Sequence, residues 1–318
     1  MLRTFALIAC AAYPLAAQDL QFSQPIDCTL GADCFIEDYV DINPFEKNSQ
    51  DHRCGLNTRD GHTGTDFALI DFASVEQGVD VLAAAPGHVF RLRDSMPDDR
   101  LQRGVNSQNA CGNAVILAHA DGYQTTYCHL KRGSINVSIG DSVERGQPIG
   151  KVGLSGRTSH PHVHFSVKKN GTQLDPFRPE ANDQCATQPS PTLWLNPPEY
   201  HATILRFAGF SNAVPKFEDT VSGAARLTNS KPNQPLVVYV EAGFSQHGDI
   251  LDISATGPLG EAFRHSILLK QPKKSTRRAF GKRAPQEGWS LGEYTGQIIL
   301  TRKGQIIANR FAHVTVAH

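Results

Sequence analysis

Three short segments hold the side chains best equipped for chemistry: G-H-T-G-T-D at Gly61 to Asp66, Y-C-H-L at Tyr127 to Leu130, and H-P-H-V-H-F at His160 to Phe165. In an extended strand, residues two apart share a face, so His162 and His164 can project into one site. A hydrolytic zinc needs three protein ligands and an open position for water, and two histidines with one carboxylate are one such set. His62, Asp66 and His164 can supply it, with the short Gly64 letting the backbone turn between the first two. Each piece alone is weak, because an isolated H-x-H usually marks exposed or hydrogen-bonded histidines. The other histidines, His88, His119 and His313 among them, lack such company and read as structural or surface residues. Asp121 with Gly122 reads as turn chemistry.

The elements that must position these groups read as strands. From Ala83 onward, A-P-G-H-V-F-R-L-R, G-N-A-V-I-L-A-H and G-Y-Q-T-T-Y-C-H-L are apolar-rich runs broken by turn residues, with H-A-D-G as a hairpin turn between the last two. The stretch H-P-H-V-H-F-S-V-K-K-N-G closes the set as a further strand, and no helical periodicity competes. The polar segment from Arg93 to Ala110 reads as a loop bordering a groove. These features predict an all-β chain that opens with a compact, mostly antiparallel catalytic domain spanning 18–185, with its core at about 61–176. Prolines between Ala186 and Tyr200 deny backbone donors and mark 186–200 as a linker. Alternating runs such as L-V-V-Y-V-E-A-G-F and Q-I-I-A-N-R-F-A-H-V-T-V then predict a small, immunoglobulin-like β-sandwich over 201–318. The basic run K-K-S-T-R-R from Lys273 to Arg278 reads there as a solvated loop.

Lys plus Arg and Asp plus Glu are equal at 31 each, so no global field calls for nucleic acid or an anionic membrane. Residues 1–17 have the layout of a secretory signal peptide, and no stretch is long and apolar enough for a transmembrane segment. The expected location is therefore periplasmic or extracellular; the rival reading is a lipoprotein anchored through Cys10. Six cysteines remain beyond the signal, an even number that suits disulfides in an exported chain. No C-x-x-C pair supports a zinc-cysteine site. Cys111 and Cys128 lie at the outer ends of two strands of one hairpin, and Cys28 and Cys34 can close a small loop. Cys54 is then left to pair with Cys185.

Taken together and in order, the segments resemble the lysostaphin and LytM-type zinc endopeptidases of the M23 peptidase family. The likeness runs from Gly61 to Pro176 and includes G-D-S-V-E-R-G-Q-P-I-G-K-V-G-L-S-G, similar to the family's glycine-rich approach to its last motif. It implies one Zn2+ per chain held by His62, Asp66 and His164, with His129 and His162 as catalytic histidines that do not bind the metal. It also implies a peptidoglycan peptide as substrate, the target being cross-links or stem peptides of bacterial cell wall. Alternatives are a non-catalytic regulator of other wall hydrolases and a zinc peptidase acting on proteins. A protein or wall-polymer partner is open to the C-terminal domain. His160 departs from the small residue the family often has there, and reads as a surface histidine.

Overall fold

The computed structural model describes residues 20–43, 45, 48–69, 72–158, 160–180, 185–187 and 191–318. The signal-peptide reading, Cys10 included, falls outside them.

The first part of the chain runs through β1 (Cys34–Asp38), β2 (Thr65–Leu69), β3 (Asp80–Leu82), β4 (Gly87–Arg93), β5 (Asn113–Ala118), β6 (Tyr123–Leu130), β7 (Ser142–Val143), β8 (Pro148–Lys151), β9 (His162–Lys169) and β10 (Thr172–Leu174). Strands β3 and β8 pair with each other, and the rest form one antiparallel sheet in the order β1-β2-β9-β6-β5-β4-β7, with β10 beside β9. Alternation sends Phe67, Val115, Leu117, Tyr127, Val163, Phe165 and Val167 into one apolar core. β-branched and aromatic residues dominate these positions because they fill a pleated, buried face well. Trp194, within the proline-rich stretch expected to be a linker, is also buried in this core, and its backbone bridges to Phe22. That stretch is packed down along at least part of its length. The H-A-D-G segment forms a single 3-10 turn over Ala120–Gly122, with Asp121 left-handed at φ 55°. The cysteines pair as Cys28–Cys34, Cys54–Cys185 and Cys111–Cys128.

The second part contains β11 (Ile204–Ser211), β12 (Asn229–Ser230), β13 (Leu236–Ser245), β14 (Asp249–Gly257), β15 (Gly260–Leu269), β16 (Lys273–Lys282), β17 (Gly292–Arg302) and β18 (Gln305–Val316). A three-stranded sheet, β11-β13-β16, and a five-stranded sheet, β12-β18-β17-β14-β15, enclose a separate apolar core that includes Phe210, Val238, Leu251, Ile253 and Ile298. The basic run Lys273 to Arg278 is not a loop but the first half of β16, paired with β13. Its lysines face solvent and Thr276 is the one buried residue of the six, so the run shows no apolar alternation to mark it as a strand.

Strand β18 also touches the first sheet. Arg310 pairs with Glu37 and stands 3.7 Å from Asp38, both on β1. Phe311 meets Phe72 edge-on at 4.9 Å between ring centres. Arg100, in the polar loop before β5, pairs with Glu293 and bonds His313 at 2.7 Å.

Candidate metal centre

Register places the site. Asp66 on β2 lies directly opposite His164 on β9, and Ala68 lies opposite His162. Cys128 on β6 faces His164 from the other side. Residues opposite one another share a face, so Asp66 and His164 emerge together while their neighbours Thr65, Phe165 and Tyr127 turn inward. Simple alternation would send His129 to the inward face. Instead the pairing of β5 with β6 shifts register between Asn113 and Val115, and His129 takes a left-handed backbone at φ 65°. This bulge re-aims its ring to 4.7 Å from that of His162.

His62 arrives from the turn before β2. Its Nε2 lies 3.1 Å from Asp66 Oδ2 and 3.1 Å from His164 Nδ1, and His164 Nδ1 lies 2.8 Å from Asp66 Oδ1. Tetrahedral ligands about 2.0–2.1 Å from a zinc ion stand roughly 3.3–3.4 Å apart, so the three donors are already gathered at nearly that spacing. Gly64 matters here for closeness and not for a special backbone angle. A Cβ at that position would sit 2.6 Å from the His164 ring and 2.7 Å from the Phe165 carbonyl oxygen.

Hydrogen bonds fix which nitrogen each ring presents. His62 Nδ1 donates to the Tyr39 carbonyl at 2.7 Å, leaving Nε2 as the donor atom for a metal. His129 Nδ1 donates to the Ser155 carbonyl at 2.8 Å, and His162 Nδ1 lies 3.2 Å from both the His160 carbonyl and Thr158 Oγ1. His162 Nε2 is buried with no hydrogen-bond partner, 3.6 Å from Asp66 Oδ2. An orphaned lone pair aimed at a cluster of metal-type donors fits a site meant to be completed by an ion and its water.

Electrostatics follow from burial. Desolvation holds the His129 imidazole down at about 4 and the His162 imidazole well below its usual range, so both are neutral at pH 7. Burial also opposes ionisation of Asp66, but the charges of His62, His162, Arg59 and His164 overcome it and keep the carboxyl well below the ordinary range. Burial lowers His62 as well, and the Asp66 carboxylate more than offsets this, raising it.

Several surrounding charges carried no signal in the sequence. Arg59 Nη2 donates to Asp66 Oδ2 at 2.8 Å and its Nη1 bonds Asp38. Support of this kind orients a ligating carboxylate. His160 is not a surface residue: its side chain is 18% exposed, it bonds Glu37, and its ring stacks on His162 at 4.9 Å. Glu37, His160 and His162 could themselves gather round a metal, but Glu37 is already engaged by Arg310. His313 joins Arg100 at the same side of the molecule. The Arg93–Ala110 loop does border the site region, since Asp98 bridges to Ser155, whose carbonyl holds His129.

A donor set of two histidines and one aspartate, with two further neutral imidazoles turned toward it on an antiparallel β scaffold, is the equipment of a metal-dependent hydrolase. Residues 60–176 match Peptidase family M23, and this part of the chain is similar to the domain of that family. Curated relatives are the peptidoglycan DD-endopeptidase ShyA of Vibrio cholerae, 31% identical over 117 residues, and the DD-carboxypeptidase/endopeptidase Mpg of Neisseria meningitidis, 34% identical over 116. The cell division protein DipM of Caulobacter vibrioides is 32% identical over 103 residues. These alignments take in 37%, 36% and 32% of this chain but only 22%, 22% and 15% of the relatives. Among solved structures, the catalytic domain of lysostaphin from Staphylococcus simulans is 26% identical, with 44% of this chain and 85% of that one covered and a TM-score of 0.29.

Proposed function

We propose that the chain is an exported, zinc-dependent endopeptidase that hydrolyses peptide bonds of bacterial cell-wall peptidoglycan. His62, Asp66 and His164 hold one zinc ion, and His129 and His162 are the catalytic histidines. The observation that supports this reading is the orientation of three rings: His62, His129 and His162 each turn Nδ1 to a backbone carbonyl, which leaves the lone pair on Nε2. One relative that shares the domain is named a peptidoglycan DD-endopeptidase and another a DD-carboxypeptidase/endopeptidase, which supports the substrate class.

Zinc bound there would lower the pKa of its water toward about 7 and polarise the scissile carbonyl. Neutral His162, through its unpartnered Nε2, accepts the proton of the attacking water and returns it to the leaving amine. His129 presents an acceptor as well, because its Nδ1–H is spent on Ser155. It therefore suits orienting the water, and is poorly placed to donate to an oxyanion while neutral. Arg59 steadies the carboxylate of Asp66. Residues 18–185 act in this reading as the catalytic domain, and 201–318 as an appended β-sandwich that forms part of the surface a substrate meets.

Purified sacculi incubated with the mature protein should release peptide fragments identifiable by mass spectrometry, and chelator or His162→Ala should stop the release. Intact sacculi with the zinc-loaded protein, alongside stimulation of another wall hydrolase, would favour the regulator reading instead.

A further inference from the structure

A cleft of about 640 Å³ opens beside the metal centre where β18 and β11 approach β1. That volume lies within the range of small-ligand sites, about 300–1,000 Å³. Arg59 and His160 line it from the side of the metal centre, and Arg226, Phe311 and His313 line it from the other. Two carboxylates are also present, Glu37 and Asp38, but their side chains are only 2% and 4% exposed and both are held by Arg310, with Asp38 also bound by Arg59. The Arg59 side chain, by contrast, is 50% exposed, and Arg226 is exposed as well. A molecule entering the cleft therefore meets guanidinium groups, with the acids beneath them. Three arginines line the cleft against those two carboxylates, which leaves a positive excess even with the histidines neutral.

Place adds to charge. Arg59 touches the candidate ligand Asp66, and the His160 ring lies on His162, so the cleft is continuous with the reacting centre. The bonds to Asp38 and Asp66 use Nη1 and Nη2 of Arg59, which has five N–H donors, so others remain for a ligand. Arg226 makes a long contact of 3.4 Å to the Ala208 carbonyl and bonds the Tyr239 side chain, both uncharged acceptors that a carboxylate outcompetes. Guanidinium groups bind carboxylates through parallel N–H bonds, about twice as strong as neutral ones.

We propose that this cleft is a subsite for a free carboxylate of the peptide substrate, taken by Arg59 and Arg226 close to the scissile bond; the proposal rests on the peptidase reading above. The substrate class is thereby narrowed to acidic peptides, and β11, β18 and the segment that carries Arg226 become one wall of the binding groove.

The test is a calorimetric titration of the zinc-loaded full chain with two probes: the acidic stem peptide from a wall digest, and the same peptide with its carboxylates converted to amides. The acidic peptide should bind about tenfold more tightly at low salt. Arg226→Met should cut that preference by about fivefold while leaving the amide's affinity unchanged, and Arg226→Lys should restore part of it. A bare packing role for Arg226 would not move the acid-to-amide ratio. Equal binding of the two probes, no binding of either, or an unchanged ratio in Arg226→Met would each overturn the subsite. Acid-selective binding without any cleavage would instead leave the subsite standing and remove the peptidase reading.

Discussion

Replacing Arg310 with Met tests whether β18 is bound to the first sheet by charge. Arg310 serves two carboxylates at once, Glu37 and Asp38, whose side chains are 2% and 4% exposed. Removing one partner of a buried pair typically costs about 3–5 kcal/mol, because the remaining charge is stranded away from water. Here the cost is reduced: Glu37 keeps His160, Asp38 keeps Arg59, and Arg310 is itself 24% exposed. The expected loss is therefore about 2–3 kcal/mol, with the bond from Arg310 Nε to the Leu205 carbonyl contributing part of it. Urea unfolding followed by fluorescence is well suited, since Trp194 reports the first core and Trp289 the second. Adding Glu37→Gln to Arg310→Met should recover at least about 1 kcal/mol of the loss, because the stranded charge is then gone. A single-mutant cost below about 0.5 kcal/mol, the behaviour of a solvated surface pair, would refute the reasoning. So would strict additivity in the double mutant.

Protein prepared without chelators should carry about one zinc per chain by elemental analysis, with His164→Ala losing both metal and activity and His162→Ala losing activity alone. Loss of zinc from His162→Ala would show that the division of roles is wrong. Gly64→Ala should weaken zinc binding by about tenfold or more in a competition titration, since the added Cβ must displace the His164 ring; an unchanged affinity would contradict the packing argument. Burial raises Asp175 to about 7, so between about 4, where a solvated aspartate ionises, and that value the folded state holds a proton that the unfolded state has lost. Its contribution to stability falls as pH rises from about 4 to 7, by up to about 4 kcal/mol. Asp175→Asn should accordingly stabilise the chain at pH 8 and have little effect at pH 4 in paired denaturation curves; equal shifts at the two pH values would argue against a buried, neutral acid.

What was legible in the sequence is what short-range pattern encodes. The strands around Val89, Val115, Tyr127 and Val163 announce themselves by apolar runs between turn residues, and His162 and His164 share a face for the same reason. The cysteine pairs followed from the hairpin and from what remained. Arg59, Glu37, Asp38 and Arg310 were not legible, because their partnership depends on tertiary contact between distant parts of the chain, and a single charged residue has no periodicity. His160 was misjudged on the same ground, since nothing local reveals that Glu37 lies beneath it. Strand β16 was hidden by composition: six residues with four cations resemble a loop until one sees that Thr276 alone of them faces inward.

Two of the three candidate donors are borne by strands locked in register, Asp66 opposite His164 and His164 opposite Cys128. Inserting or deleting one residue within β2, β6 or β9 would turn every following side chain to the opposite face and dismantle the centre. The Arg93–Ala110 segment contributes no donor atom to the centre, and although Asp98 ties it to Ser155 and Arg100 to Glu293, the stretch beyond Arg100 is not held in register with β2, β6 or β9. Change in this molecule is thus partitioned: length can vary in the outer part of the rim loop, while at the centre only identity can be exchanged, one residue for one residue. An engineer seeking a new specificity should lengthen or shorten the loop and leave the three strands their present count.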